Sequence, residues 1–350
     1  MLEEIRQQPA ALERTLRGQM REAVRLRARF RKQRPRLIVL AARGSSDNAC
    51  RFGRYLLEIT TGIPVSLAAP SVITLYQASV DLRDALVVAI SQSGESTDTN
   101  LVLERARAAG AFTLGVTNER TSSMARVAES LLHVRAGKEK SVAATKTYTG
   151  QLMAMYVLAW ALGARLRPDD LERLPDAAAA ALKLEPEIAV RAQRYRFMDH
   201  AVVIGRGLNY ANAFEFSLKL METCYVPAER FSTADLMHGP IAMVDRSFPA
   251  FLFGPAGVTW PATRAMLEKL RHLKAETLLI TDRGNPDAAS QAECAVCLPL
   301  KLVRKSLTPE DIYTPIPYIV PAQLFAACLA QVKGLDPDHP RTLTKVTRTM

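Results

Sequence analysis

Ser91-Gln92-Ser93-Gly94-Glu95-Ser96 crowds three hydroxyls and a run of backbone N–H groups into six residues. The apolar run before it, Ala85 to Ile90, has the length of a buried strand, and Thr97 to Ala109 reads as a helix. The cluster therefore falls where a strand turns into a helix N-terminus. Unpaired N–H groups and the helix dipole favour an anion at such a place. Hydroxyl donors in place of Lys or Arg suit a phosphate monoester that must bind reversibly. Ser96 can also be read as no more than the cap of the following helix, but a cap accounts for one serine and not for the cluster.

A second set of residues can move protons. Asn209 to Cys224 reads as a helix carrying Glu215, Lys219 and Glu222 at i, i+4 and i+7, which puts all three on one face. Such a triplet is either an exposed ion-pair ladder or an acid/base group in a cleft. The preceding Gly205-Arg206-Gly207 lies at a strand's carboxyl end, and Phe214, Phe216, Leu218, Leu220 and Met221 flank the charges, which favours the cleft. His238 sits in Asp235-Leu236-Met237-His238-Gly239-Pro240, a turn context in which a histidine can shuttle protons near neutral pH. His133, His200, His272 and His339 have no comparable setting.

The elements that must position these residues repeat. Arg43-Gly44 after the apolar run Leu37 to Ala42 matches Arg206-Gly207 after Ala201 to Gly205, at an offset of 163. Pro64 matches Pro227, and Val87 to Ile90 matches Ala250 to Phe253, at the same offset. Thr113 to Asn118 matches Thr277 to Asp282 one residue further on. Each half alternates strand and helix, the pattern of an α/β fold with a parallel sheet covered on both faces and ligands at the strands' carboxyl ends. The expected order is a leading helix over 1–29, a first domain over 30–165, a helical connector over 168–194, a second domain over 195–335 and a tail over 336–350. The serine cluster is not repeated: the second half has Gly254-Pro255-Ala256-Gly257-Val258-Thr259 in its place.

Composition bounds the remaining possibilities. No apolar stretch is read as reaching the roughly 18–20 residues that span a bilayer, the longest candidate being Leu152 to Ala164. Met1-Leu2-Glu3-Glu4-Ile5-Arg6 lacks the order of a signal peptide, so a cytoplasmic protein without a membrane partner is expected. Five cysteines, an odd number, argue against a disulfide framework; Cys294 and Cys297 have redox or zinc spacing without a second pair and are read as core packing. Of the net charge of +11, residues 1–36 supply +7. A basic helix can meet nucleic acid, but without a helix-turn-helix pattern and with Phe30 as its only aromatic residue it is read as a solvated face. No nucleic-acid partner is expected.

Arg43-Gly44-Ser45-Ser46, the serine cluster, Glu139 to Lys146, Glu215 to Glu222, His238-Gly239-Pro240 and Pro340 to Lys345 occur in the order found in the double sugar-isomerase (SIS) domain family. Together they resemble the isomerase half of glucosamine-6-phosphate synthases. The resemblance implies two tandem SIS domains, each a Rossmann-like or flavodoxin-like three-layer sandwich. It implies that Ser46, Ser91, Gln92, Ser93 and Ser96 hold a sugar and its phosphate, and that Val142 lines the substrate. It implies Glu222 as the base between C1 and C2, with Glu215 and Lys219 as its supporting ion pair. His238 would open the sugar ring from the neighbouring subunit of a homodimer. Lys345 would form a Schiff base with the keto sugar, and Arg341 matches a residue near it. No metal and no cofactor are implied.

Three departures shape the expectation. The chain starts at Met1-Leu2 without an N-terminal Cys nucleophile or room for a glutaminase domain, so glutamine hydrolysis is not expected of it. Ala144 replaces a serine that contributes to sugar binding, and Thr342 replaces an asparagine before the Leu-x-Lys pattern. Ser141 to Thr147 looks more like the stand-alone glucosamine-6-phosphate deaminases of this fold. The expected reaction is therefore glucosamine 6-phosphate to fructose 6-phosphate and ammonia. The alternatives are a deaminase or isomerase of a related amino-sugar or fructosamine phosphate, and a non-catalytic sugar-phosphate sensor. A sensor needs only the serine loop, so Glu222, Lys219, His238 and Lys345 speak against it.

Overall fold

The computed structural model describes residues 1–302 and 309–345. They form two compact units. The C-terminal unit contains Met1–Arg6, with the short helix α1 (Leu2–Arg6), Ser141–Ala143 and the described residues of Asp176–Arg341. The N-terminal unit contains Gln7–Lys140, Ala144–Pro175 and the described residues from Thr342 on. Residues 303–308 of the expected second domain and 346–350 of the expected tail lie outside the described residues.

In the N-terminal unit the strands β1 (Leu37–Ala41), β2 (Val65–Leu67), β3 (Ala85–Ser91), β4 (Phe112–Thr117) and β5 (Ser130–His133) pair in parallel in the order β2-β1-β3-β4-β5. The helices are α2 (Gln8–Lys32), α3 (Ser45–Thr61), α4 (Pro70–Thr74), α5 (Thr97–Ala108), α6 (Ser123–Val127), α7 (Lys146–Ala161) and α8 (Pro168–Glu172). All seven residues of β3 are buried, as its unbroken apolar run requires of a parallel strand covered on both faces. The basic leading segment is helical to Lys32. Part of its charge is used internally: Arg14 donates to the carbonyls of Arg135 and Ala136, and Arg27 donates to the carbonyl of Trp160 and lies over its ring.

The C-terminal unit repeats the plan. Helices α9 (Leu174–Leu182) and α10 (Glu185–Arg194) complete the connector, which is helical in three pieces from α8 on. There follow β6 (Ala201–Ile204), α11 (Tyr210–Cys224), β7 (Ala228–Phe231), α12 (Thr233–Met237), β8 (Pro249–Phe253), α13 (Trp260–His272), β9 (Glu276–Asp282), α14 (Pro286–Gln291), β10 (Ala295–Leu298) and α15 (Pro315–Val332). The sheet order β10-β9-β8-β6-β7 is that of the first sheet read from its other edge, and every pairing is parallel.

Two expectations need correction. The longest apolar helix is α15, not the stretch from Leu152 to Ala164. It is long and apolar enough by composition to cross a membrane, but 89% of it is buried inside the protein, where it packs along α10 and α11. Pro317, Tyr318, Pro321 and Gln323 interrupt the apolar run and hide it from a reading by composition. Cys294 and Cys297 are half-buried, just before and within the edge strand β10, rather than in the core; Arg191 Nη1 lies 2.7 Å from Cys294 Sγ.

Asp311, just before α15, is 1% exposed, and among the described residues neither carboxylate oxygen has a hydrogen-bond partner. Burial pushes its carboxyl up to about 6. The folded state thus holds this proton more tightly than the unfolded chain. The associated stability is fully present below the ordinary aspartate value and is lost as pH rises to about 6, a penalty of about 3 kcal/mol above that. Asp311→Asn should therefore raise the urea midpoint at pH 7.5 and match the wild type near pH 3.5. An unchanged midpoint at pH 7.5 would show that the carboxylate has a partner after all.

Candidate active site

In the N-terminal unit the chain leaves β1 for β2 on one side and β3 for β4 on the other. Parallel α/β sheets open a ligand crevice at the carboxyl ends of such neighbouring strands. The loop after β1, Ala42 to Gly44, and the loop after β3, Gln92 to Ser96, both end there, and α3 and α5 begin there. Ser46, Ser91, Gln92, Ser93 and Ser96 are thereby brought to one edge of one sheet. Arg43 ties the two loops together, its Nη2 and Nε lying 2.6 and 3.2 Å from Oδ2 of the buried Asp98 on the first turn of α5.

Within the serine loop, Gly94 N–H donates to Ser91 Oγ at 3.1 Å and Glu95 N–H donates to Ser93 Oγ at 3.2 Å. Each hydroxyl accepts inside the loop, which leaves its own proton for an acceptor such as a phosphate oxygen. Ser96 stands at the N-cap of α5 but its side chain makes no capping bond, so capping does not explain it. Gly94 has φ of +67°, and a Cβ there would lie 2.2 Å from Ser122 Oγ; only glycine fits. Ser46 is buried and accepts a hydrogen bond from Gln151 Nε2 on α7 at 2.9 Å. Gln151 escaped the sequence reading, since a glutamine within an apolar helix gives no signal until its neighbour is known.

In the C-terminal unit the corresponding crossover is at β6 and β8, and α11 starts after Gly205-Arg206-Gly207. A Cβ at Gly205 would lie 2.4 Å from the Asn209 carbonyl oxygen, so a glycine is needed for α11 to start this close to the strand. Lys219 is fully buried. Its Nζ is hydrogen-bonded to Glu222 and lies 3.6 Å from Oε1 of Glu215, which is also fully buried. Glu222 keeps 23% of its side chain exposed. The triplet is thus not a solvated ladder. It is a buried ammonium holding one partly accessible carboxylate in a fixed orientation, the arrangement a proton-transfer group needs.

The remaining predicted residues are distributed as follows. His238 follows α12 and is exposed, with Met237 and Met243 exposed beside it. Val142 and Arg341 belong to the C-terminal unit: Val142 N–H donates to the Asp338 carbonyl at 3.3 Å, and Arg341 N–H donates to Tyr225 OH at 2.9 Å with its guanidinium 4.2 Å above that ring. Tyr225 caps the C-terminus of α11 in the left-handed conformation. Ala144 and Lys345 belong to the N-terminal unit, where Lys345 Nζ lies 3.3 Å from Glu139 Oε2. Among the described residues no group of three or more His, Cys, Asp or Glu could hold a metal ion.

The SIS domain model matches residues 30–161 and 196–304. The chain belongs to the SIS-domain family. The SIS chain is 33% identical over 353 residues to the glutamine–fructose-6-phosphate aminotransferase (isomerizing) of Aquifex aeolicus, an alignment covering 99% of this chain and 57% of that protein. It therefore spans little more than half the length of that curated relative. The C-terminal domain of glucosamine-fructose-6-phosphate aminotransferase from Francisella tularensis superposes with a TM-score of 0.86 at 28% identity, covering 97% of both chains. The glucosamine-6-phosphate deaminase of Thermotoga maritima superposes with a TM-score of 0.71 at 20% identity, covering 96% of this chain and 100% of that one, a likeness of fold alone. Two tandem α/β SIS units, homologous to the isomerase half of the aminotransferases, are thus the architecture of this chain.

The buried triplet gives a direct test. Lys219→Met removes the ammonium from two carboxylates, one of them fully buried, and should cost about 3–5 kcal/mol in urea unfolding. Adding Glu215→Gln should restore more than half of that loss. A single variant within about 1 kcal/mol of the wild type would mean that the lysine is not what makes these carboxylates tolerable.

Proposed function

We propose that this chain is an aldose–ketose isomerase of phosphorylated amino sugars that releases ammonia, converting glucosamine 6-phosphate and water to fructose 6-phosphate and ammonia. The observation that carries this reading is Glu222, partly accessible and hydrogen-bonded to a fully buried Lys219. A buried ion pair is poor value as packing, and a sensor has no need of it.

In this reading the hydroxyls of Ser91, Ser93 and Ser96 and the N–H groups at the start of α5 anchor the phosphate, so that C1 and C2 are held in place. Ser46, Gln92 and Val142 contact the sugar. His238, supplied by the neighbouring subunit of a homodimer, moves the proton of the anomeric hydroxyl to the ring oxygen and opens the ring. Glu222 takes the proton from C2 and returns it to C1, through an enolamine, to give an imine at C2. Water adds to that imine and ammonia leaves, so one water is consumed for each ammonia released. Glu215 and Lys219 keep Glu222 aimed. Lys345 forms a Schiff base with the keto sugar, and Arg341 stands at the start of the segment that carries it. The two SIS domains, about 30–165 and 195–335, divide these tasks, with the leading helix over 1–29, the connector over 168–194 and the tail over 336–350 around them. The place of work is the cytoplasm, where sugar phosphates are kept. Ala144 presents a methyl group where the synthase pattern has a hydroxyl, which supports a deaminase over a synthase half.

Incubation of the purified chain with glucosamine 6-phosphate should yield ammonia and fructose 6-phosphate in equal amounts. Glu222→Gln should abolish turnover and still bind the phosphosugar, whereas Ser91→Ala with Ser93→Ala should lose roughly 1.5–3 kcal/mol of binding for each hydroxyl with the fold intact. Fructose 6-phosphate without ammonia would rule the mechanism out. Tight binding with no product would move the assignment to a related amino-sugar or fructosamine phosphate, or to a sensor.

The partner's contribution has its own test. Inactive His238→Ala and inactive Glu222→Gln subunits, once mixed and exchanged, should regain part of the activity, because each mixed dimer would hold one intact composite site. No recovery after demonstrated exchange would show that each chain supplies its own histidine.

A further inference from the structure

Glu139 has no role in the reaction described above, yet its carboxylate is fully buried. Its Oε1 accepts from Thr145 N–H at 2.9 Å, Thr145 Oγ1 at 3.4 Å and Thr147 N–H at 3.2 Å, and its Oε2 accepts from the Thr147 hydroxyl. Thr145 is the N-cap of α7 but makes no side-chain capping bond of its own. Glu139 caps the helix instead, and a carboxylate is well suited to the positive end of the dipole. These donors lie within eight residues of Glu139 in the chain, so the carboxylate is oriented by local structure alone. Its remaining partner, Lys345, is 206 residues away in sequence, and its side chain is 25% exposed. All these residues belong to the N-terminal unit.

We propose that Glu139 is a positioning residue: a preformed, buried anionic socket that docks the segment from Thr342 to Lys345 onto the N-terminal unit through the Lys345 ammonium and so sets where that amine stands. Four neutral donors fix the carboxylate without neutralising it, and Lys345 is the cation that does so. Segments without regular secondary structure are mobile unless they are tied down, and Thr342, with φ of +63°, turns the chain three residues before the lysine. The covalent part of the test rests on the Schiff-base reading of Lys345; the docking part does not.

Glu139→Gln separates the cap from the socket. The amide oxygen can still accept from Thr145 and Thr147, but its NH2 group faces the ammonium with a donor instead of an acceptor. In hydrogen exchange on the full chain, amides of 342–345 should exchange roughly tenfold faster or more, the scale of one charged hydrogen bond, while α7 amides and the affinity for inorganic phosphate stay as in the wild type. Unchanged exchange over 342–345 would overturn the proposal. So would equal loosening of α7 and the segment, which would reveal a cap and nothing more.

Borohydride reduction with fructose 6-phosphate gives the second readout. The neutral Lys345 amine adds to the C2 carbonyl and water leaves. Borohydride then delivers hydride to C2, and solvent supplies the proton to nitrogen, which fixes the adduct for mass spectrometry. The adduct should form in the wild type, fall at least several-fold in Glu139→Gln, and vanish in Lys345→Ala. Equal adduct in Glu139→Gln and the wild type would again overturn the proposal. No adduct in the wild type would remove the covalent reading of Lys345 and leave the socket to be decided by exchange.

Discussion

Everything in this chain depends on parallel strands buried on both faces and on the point where their order reverses. Such strands need crossover connections that return over the sheet, and in this chain helices make them. Every connection therefore delivers a loop and a helix N-terminus to the same edge. Between β1 and β3 the helices leave in opposite directions, and the sheet itself cannot fill the space between them. What occupies that space is decided by a few residues: a glycine that permits the turn at Gly94, hydroxyls that accept from their own loop, and the Arg43–Asp98 pair that holds the two loops in register.

The two units show how one architecture supports different chemistry. Both sheets have the same strand order, yet the first gathers neutral donors and helix N-termini, and the second a buried ammonium between two carboxylates. The first arrangement suits a ligand that brings its own negative charge. The second suits a group that must hold a proton acceptor steady, since a lysine locked on both sides cannot wander. In each the chemistry is placed by a helix starting directly after a strand, so that backbone rigidity, not side-chain length, fixes the geometry.

Much of this was legible in the residues. The apolar runs at 37–42, 85–90, 113–118, 201–205, 250–253 and 277–282 placed the central strands and the class of both sheets, and the long-range offset revealed the duplication; the short edge strand β5 gave no such signal. The serine loop was legible because three hydroxyls in six residues exceed what capping demands. The face shared by Glu215, Lys219 and Glu222 followed from helical spacing. Less was legible where the deciding partner is remote. Helix α15 was missed because prolines and a glutamine break its apolar run, while burial on all sides makes those residues harmless. Cys294 and Cys297 were read as core and proved half-buried, just before and within an edge strand, since sequence does not say which strand lies at an edge.

The sequence by itself determined the local order: which runs become strands, where helices begin, which glycines turn the chain, and which family the motifs belong to. These depend on neighbours a few residues apart, and such neighbours are written side by side. Only the tertiary structure decided that Lys219 and Glu215 are fully buried while Glu222 is not, that Gln151 meets Ser46 105 residues away, and that Lys345 meets Glu139 206 residues away. Burial and long-range pairing are properties of packed faces. A charged face reads the same in sequence whether water or protein covers it, and the packing of α11 among its neighbours, β6, β7, β8 and α15, supplies the difference.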